Sequence, residues 1–451
     1  MATKNTLEPD DLRIGWYYHD QSEDGSTPAA TLLRNEGDMI SLSIPIAEED
    51  AWGPVSRWFD GTGVRYDDDP DQTKYTYVPP KELLFTDTRG PVGLFHCRNL
   101  GKRSVMGGTA EGRIRVGFAV LGAHSLEHGQ PHRLRTYIPG MAKWIGLTSL
   151  QVKPEQDESG ISTGLSLKTA SLKPLELEPG LFLDTAWHSN YDRSDNHFEI
   201  SDPPFIESVI GGGADFYDHL KKHQLFRDLV DLAYWQPTGY YRIQSSRDED
   251  IELKSRKWRE VKTYLVRPQE DGHSATALFH FGQIGAEGFQ KWSEMRHKYD
   301  RAIGPLMSLL GMKGSAVETQ LIQSCVGLEG LGVQLARDSG VKKREILQKR
   351  LERVVDDLGF SFSEDWAKRT ADRYNDIKHY DRDALVDPLD VYYNLLENEL
   401  VFRSWVALRL GLSPEYVLTH ISTTPAGQSL IGQPGISFPE PAGEADDSEE
   451  S

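Results

Sequence analysis

The sequence predicts an α+β multidomain protein: a β-rich amino-terminal region of sandwich or barrel-like type, followed by an all-α helical bundle. Three observations predict it. At 451 residues the chain is too long for one ordinary core and long enough for two or three. From Thr27 to about Val266, short alternating runs are separated by Gly, Pro, Asp and Ser clusters, the texture of strands and turns. Beyond about Gly285, long apolar-periodic stretches take over, with Gly and Pro mainly at the breaks, the texture of helices.

The elements follow in order. In "RIRVGFAV", Ile114, Val116, Phe118 and Val120 share one face of a half-buried strand; "MISLSIPI", "LFLDTAW" and "KTYLVRP" read similarly. One helix interrupts the β region over 215–235, where Phe216, Leu220, Leu225, Leu229 and Leu232 recur at roughly helical spacing. The glycines Gly211 to Gly213 before it lack the GK[ST] of a phosphate loop and read as a flexible entry. Helices are expected at about 286–310, 315–338, 341–358, 363–381 and 385–410, with a short one near 414–420. Domain boundaries are expected at 1–285, 286–425 and 426–451, the last an acidic, apolar-poor tail of disordered composition.

The formal net charge is -19, which argues against broad nucleic-acid binding, since that draws its affinity from excess lysine and arginine. The deficit is uneven. Residues 1–290 hold 31 basic and 43 acidic groups, residues 291–436 hold 19 and 20, and the last fifteen hold six acidic and no basic ones. The carboxy-terminal third is therefore close to neutral and compatible with a local RNA site. No apolar run is long enough to span a bilayer, and the polar amino terminus lacks the apolar core of a secretory signal. Cys97 and Cys325 form neither a disulfide framework nor a zinc set. A reducing cytoplasm is the expected location, with no membrane contact.

Several clusters invite metal readings. His124, His128 and His132 recur every four residues, but Gly129 and Pro131 disfavour a helix through them, so a loop is expected. The run Asp67 to Asp71, interrupted by Pro70, lacks the glycine and distal glutamate of a calcium loop and reads as a solvated turn. Trp52, Trp58, Trp144, Trp187 and Trp235 could line a groove, although aromatic cores explain most such residues.

The stretch "RTADRYNDIKHYDRD", residues 369–383, carries the most chemistry. Ser363 reads as an N-cap with Asp365 near the start, which places Arg373 and His379 on one helix. Six positions at about 100° each put the two side chains roughly 120° apart. A local distortion, or a site assembled across a homodimer, would unite them. The competing reading is a solvated helix laced by ion pairs such as Arg369 with Asp372.

RNA cleavage needs a base for the ribose 2′-OH and a cation for the phosphoryl oxygens. Imidazole suits the first because it titrates near working pH, and guanidinium suits the second through bidentate contacts. Neither role requires a metal or a cofactor, and none is expected. Asn375, Asp376 and Tyr380 are candidates for orienting RNA or the histidine. Glu329, in "SCVGLEGLGVQLAR", is a further candidate if it reaches across the bundle to Arg373; an exposed helix glutamate is the alternative.

An all-α carboxy-terminal domain bearing "RYNDIKH", Arg373 to His379, resembles the HEPN superfamily of metal-independent ribonucleases. Many HEPN sequences place Asn or Asp directly after the arginine; here Tyr374 intervenes and Asn375 follows. The order of "DMISLSIPI", "VGLFHCRNL", "YIPGMAKWIGL", "FEISDPPFIE" and "LFRDLVDLAYWQPTG" is similar to the ApeA-type abortive-infection proteins, which couple a β-sheet region to a HEPN domain in anti-phage defence. The resemblance implies a toxin-like endoribonuclease with RNA as substrate and a β region that senses a phage-derived trigger or restrains the nuclease. The rival is a non-catalytic ligand- or protein-binding protein whose helical bundle serves only for dimerisation.

Overall fold

The computed structural model describes residues 4–18, 30–47, 54–60, 78–104, 110–156, 158–160, 162–170, 172–192, 196–252, 255–267, 276–341, 344–379 and 387–438. The aspartate run at 67–71, Trp52 and Tyr380 lie outside them. Two compact units emerge, and they interleave along the chain. One comprises Met1–Ile138, Phe205–His223 and Gly239–Glu270; the other comprises Pro139–Pro204, Gln224–Thr238 and Asp271–Ser451.

The first unit is built on an antiparallel sheet. Its strands Pro204–Val209, Arg133–Tyr137, Arg242–Ser246, Arg259–Lys262, Phe118–Leu121, Gly90–Phe95, Glu82–Asp87, Leu12–Tyr18, Thr31–Asn35, Ile40–Ile46, Ala110–Val116 and Arg98–Ser104 follow one another in that spatial order. Alternation explains the packing. In Leu12–Tyr18 every second residue is buried, and cross-strand pairs such as Arg13 with Leu33 and Ile40 with Val116 carry the same face onward. Inner-face residues of seven strands, among them Leu33, Leu42, Phe85, Leu94, Ile114 and Ala119, meet in one core. One face of seven successive strands therefore packs on a single continuous core, in the β-rich amino-terminal region that the sequence predicts.

One buried charge holds the beginning of this unit. Arg13, with a fully buried side chain, donates to both carboxylate oxygens of Asp87 at 2.9 and 2.6 Å, to Asn5 Oδ1 at 2.7 Å and to the Gly90 carbonyl at 2.8 Å. A guanidinium so fully satisfied avoids most of the penalty of burial.

The helix Phe216–Tyr234 forms where the sequence places it. Its first half contributes His219 and His223, both with no exposed surface. A continuous chain of hydrogen bonds runs from Thr136 Oγ1 to His223 Nδ1, from His223 Nε2 to Ser208 Oγ, from Ser208 Oγ to His219 Nδ1, each 2.7 Å, and from His219 Nε2 to the Pro131 carbonyl at 3.0 Å. A carbonyl only accepts, so His219 Nε2 carries the proton. With both rings neutral, Ser208 must then donate to His219, His223 to Ser208, and Thr136 to His223. Burial depresses both histidines below their ordinary value, His223 strongly. The unfolded chain therefore takes up protons below about pH 6.5 that the folded unit refuses. Stability is complete above that pH and declines as pH falls toward the folded-state values, by up to ~1.4 kcal/mol per histidine per pH unit. Denaturant titrations at neutral and mildly acidic pH should show this loss, and His223→Gln should reduce it.

Among its described residues the second unit holds three antiparallel hairpins, Leu150–Gln156 with Ser162–Thr169, Leu175–Glu178 with Leu181–Thr185 and His188–Asp192 with His197–Ser201, and the helical bundle. The bundle helices are Phe281–Lys298, Asp300–Ser308, Val317–Asp338, Leu347–Leu358, Trp366–Lys378, Pro388–Arg409, Pro414–Ile421 and Pro425–Leu430. The expected helix over 286–310 is two helices, joined at Tyr299. Pro425–Leu430 was not expected: with Thr424 as its N-cap and Leu430 fully buried, ordered structure continues past 426 into what composition alone had assigned to the tail. Gly359, at φ 84°, ends Leu347–Leu358 in the left-handed conformation that glycine adopts freely. Gly332 allows two helices to approach closely: a Cβ there would lie 2.2 Å from the Arg350 carbonyl oxygen.

The helix Pro388–Arg409 is the centre of the bundle. It is buried nearly all round, with Val391, Leu400, Phe402 and Val406 fully enclosed. Asp387 caps it, accepting from the Leu389 amide at 2.9 Å, and Pro388 follows at the first position.

Candidate active site

The helix Trp366–Lys378 positions the arginine. Trp366, Thr370 and Ala371 are buried, and Tyr374 and Ile377 pack on the apolar cluster of Leu321, Cys325 and Val391. That apolar stripe fixes the rotation of the helix and leaves Arg369 and Arg373, one turn apart, on an adjacent face. It also accounts for Tyr374 standing directly after Arg373, because that position faces the core.

The expected N-cap is corrected. The helix begins at Trp366 with Asp365 in the cap position, and Asp365 makes no capping hydrogen bond. Ser363 instead turns inward, donating to Glu397 Oε1 at 2.5 Å. Arg369 joins them, donating to Glu397 Oε2 at 2.5 Å and to Ser363 Oγ at 2.8 Å, and it also pairs with Asp365. The predicted Arg369–Asp372 pair is replaced by these contacts. Burial raises the Glu397 carboxyl above its ordinary value, while Arg369 and Ser363 pull it down.

A polar seam continues along the central helix. Asn394 Nδ2 donates to Thr370 Oγ1 at 2.8 Å, Asn398 Nδ2 to Ser324 Oγ at 2.9 Å, and Trp366 Nε1 to Asn398 Oδ1 at 2.9 Å. Sequence reasoning missed Glu397, Asn394 and Asn398. The signal was available: three polar residues at i, i+3 and i+4 inside the apolar run "VYYNLLENELVF" mark one face of a buried helix.

Arg373 is half-buried, its side chain 17% exposed, and its Nη2 lies 3.4 Å from Asp390 Oδ2 in the first turn of the central helix. Burial lowers its pKa and the Arg369 charge adds to this, while Asp390, Glu397 and Asp365 oppose them; a guanidinium stays charged throughout. His379 stands at the C-cap with extended backbone, φ -111° and ψ 97°, and its amide donates to the Asn375 carbonyl at 2.9 Å. The helix therefore ends at Lys378 rather than near 381. The 120° separation assumed a straight helix through both residues, so it does not describe this end. The His379 ring is exposed and has no hydrogen-bond partner among the described residues. No hydrogen bond joins it to Arg373.

The remaining candidates separate. Asn375 and Asp376 are half-buried on the same helix, near both residues in sequence. Glu329 pairs with Arg350, not with Arg373: the turn of Val317–Asp338 that carries it faces Leu347–Leu358. Among the described residues no group of three or more His, Cys, Asp or Glu could hold a metal ion. The region 124–132 contains a short 3-10 helix, Leu126–Gly129, in which His128 is buried edge-to-face against His124 while His132 Nδ1 accepts from the Asp248 amide at 3.2 Å.

Comparison with known families adds two matches. Residues 13–295 match ApeA N-terminal domain 1, more than half of the chain. The chain belongs to the ApeA family. Residues 323–416 match the Apea-like HEPN family, a span holding Glu329, Arg369, Arg373, His379, Asp390 and Glu397. The fold accords with the ApeA assignment, a β-rich amino-terminal region followed by the helical region in which the HEPN match lies. Nothing matches among curated proteins or solved structures. No helix of the described residues is long and apolar enough to cross a membrane.

Proposed function

We propose that this ApeA-family chain is an anti-phage endoribonuclease whose HEPN domain cleaves RNA without a metal ion, under control of the β-rich amino-terminal region. The observation that carries the proposal is a half-buried arginine and an unbonded, exposed histidine ending one helix, inside the segment that matches the HEPN family. Arg373 holds the nonbridging phosphoryl oxygens as charge builds on them. His379 takes the proton of the 2′-OH; the 2′-oxygen attacks phosphorus, and the 5′-oxygen leaves and is protonated, giving a cyclic 2′,3′-phosphate and a 5′-hydroxyl. Two such helices meeting in a homodimer supply each phosphate with an arginine and two histidines, one to accept a proton and one to donate it. Asn375 and Asp376 orient the RNA beside them.

Among the described residues Asp390 is the acid that pairs with Arg373, and incoming phosphate must displace its influence. Asp390→Asn should tighten binding of a non-cleavable 2′-deoxy-substituted RNA by about two- to fivefold at low salt, as expected for one exposed charge; unchanged affinity would remove Arg373 from the phosphate site. Induced expression with and without phage, following total RNA integrity and growth, tests the function. RNA loss on infection with wild type but not with Arg373→Ala or His379→Ala supports the nuclease. Protection that survives both substitutions with RNA intact sinks it in favour of a binding protein.

A further inference from the structure

The register of the first unit builds an outward face that the nuclease reading does not use. In Leu12–Tyr18 the alternate residues Leu12, Ile14, Trp16 and Tyr18 are 45%, 63%, 45% and 47% exposed. This strand lies between two others in the sheet: its first half, Leu12 to Gly15, pairs with Thr31–Asn35 and its second half, Trp16 to Tyr18, with Glu82–Asp87. The apolar ridge along it has no intrachain task among the described residues. Four large apolar side chains in a row exceed the scattered exposure usual for a protein surface.

Next to this ridge the face becomes basic. Leu32 and Arg34 stand opposite Ile14 and Leu12. Across the following strands the same face carries Arg115 and Arg113, then Arg98 and Arg103. Arg113 meets Glu36 at 3.4 Å, and Arg115 lies 5.4 Å from the centre of the Tyr264 ring. Arg34, Arg98 and Arg103 are exposed and have no ion pair among the described residues. A groove of about 480 Å³ runs between Arg34 and Arg103, walled by Ala30, Leu32, Pro45 and Ala110, with Ser43 and one carboxylate, Glu111, lining it. Ser41, beside Ser43 on this face and fully buried, has a hydroxyl with no hydrogen-bond partner among the described residues.

Among its described residues the face carries five arginines, Arg34, Arg98, Arg103, Arg113 and Arg115, against the two carboxylates Glu36 and Glu111; that local basic excess, in a chain of net charge -19, selects an acidic occupant through charge complementarity. The ridge and the aliphatic groove walls require that occupant to bring apolar side chains as well. Single-stranded nucleic acid stacks successive bases on rings; the groove walls between the arginines are aliphatic, and the exposed rings Trp16 and Tyr18 stand on the ridge. We propose that this outward face docks an acidic polypeptide segment carrying apolar side chains. The assignment deepens the sensing role given above to the amino-terminal region and rests on it for its biological meaning.

The test measures binding alone, by fluorescence anisotropy on the full chain, so that loss of the nuclease reading leaves its outcome intact. RNA cleavage is assayed on the same preparations. The probes are a labelled peptide in which glutamate alternates with leucine and phenylalanine, the same peptide with lysine for glutamate, and a short labelled oligouridylate. Saturable binding of the acidic peptide at about micromolar to tens of micromolar Kd is expected. The pair Arg34→Glu with Arg103→Glu should weaken it by about tenfold or more, and the pair Ile14→Ser with Leu32→Ser severalfold. Arg34, Arg103 and Ile14 are exposed and Leu32 is half-buried, and an unchanged circular dichroism spectrum certifies the fold. The proposal is overturned if the acidic peptide fails to bind, if the lysine peptide binds equally, or if neither pair of substitutions matters. Tight oligouridylate binding lost with the arginines would overturn it in favour of a nucleic-acid platform.

Discussion

Replacing His379 with alanine is expected to lower RNA cleavage by at least about a hundredfold, the usual contribution of a positioned general base, while the melting temperature stays within a degree or two. The stability half of this result follows from the structure. The ring is exposed and unbonded, and the one anchoring contact, amide to Asn375 carbonyl at 2.9 Å, belongs to the backbone and survives truncation. Surface changes of this kind stay within about 0.5 kcal/mol. Arg373→Lys divides the arginine's role further. Lysine keeps the charge and loses the bidentate fork, so partial activity with weakened binding marks a phosphate contact. Full activity in either variant, measured on purified protein with a labelled RNA, would sink the assignment.

Glu399→Ala is expected to be the most damaging single change in the bundle, costing about 3–5 kcal/mol. Arg403 has no exposed side-chain surface; it donates to Glu399 Oε1 at 2.9 Å and to the Ala233 carbonyl at 2.8 Å. Burial pushes the Glu399 carboxyl up to about 7, against the pull of Arg403. Alanine leaves the guanidinium enclosed with the carbonyl as its one remaining strong acceptor. The double replacement Glu399→Leu with Arg403→Met removes both charges and should recover most of the loss, since a buried pair contributes little beyond its apolar equivalent. Denaturant unfolding of the two variants separates these outcomes. A double variant as unstable as Glu399→Ala would mean that shape, rather than the stranded charge, sets the cost.

Much of this architecture was legible along the chain because it is periodic. Leu181–Thr185, within "LFLDTAW", alternates and is a strand; Phe216 to Leu232 repeats at helical spacing and is a helix; the strand Leu12–Tyr18, ahead of the β texture read from Thr27, was missed. The errors share one physical cause. Ser363 has the chemistry of an N-cap, but a buried carboxylate 34 positions later competes for its hydroxyl and wins. His379 continues a helical pattern in sequence, yet the backbone leaves the helix at Lys378. Glu329 is within reach of several arginines by composition, and only packing chooses Arg350. Local patterns set local conformation; the partner of a polar side chain is decided by what the fold brings beside it. The interleaving of the two units has the same origin, since segments such as Phe205–His223 are assigned by long-range pairing.

The buried file from Thr136 through His223, Ser208 and His219 to the Pro131 carbonyl has one allowed direction, so its protons are not independent. None can exchange with solvent while its neighbours stay in place, and reversing one bond reverses all those upstream of it. The two hydroxyl and two imidazole protons should consequently exchange at one shared rate, set by the opening of the amino-terminal unit rather than by their own acidities. In a spectrum recorded under native conditions they would act as a clock for that single event.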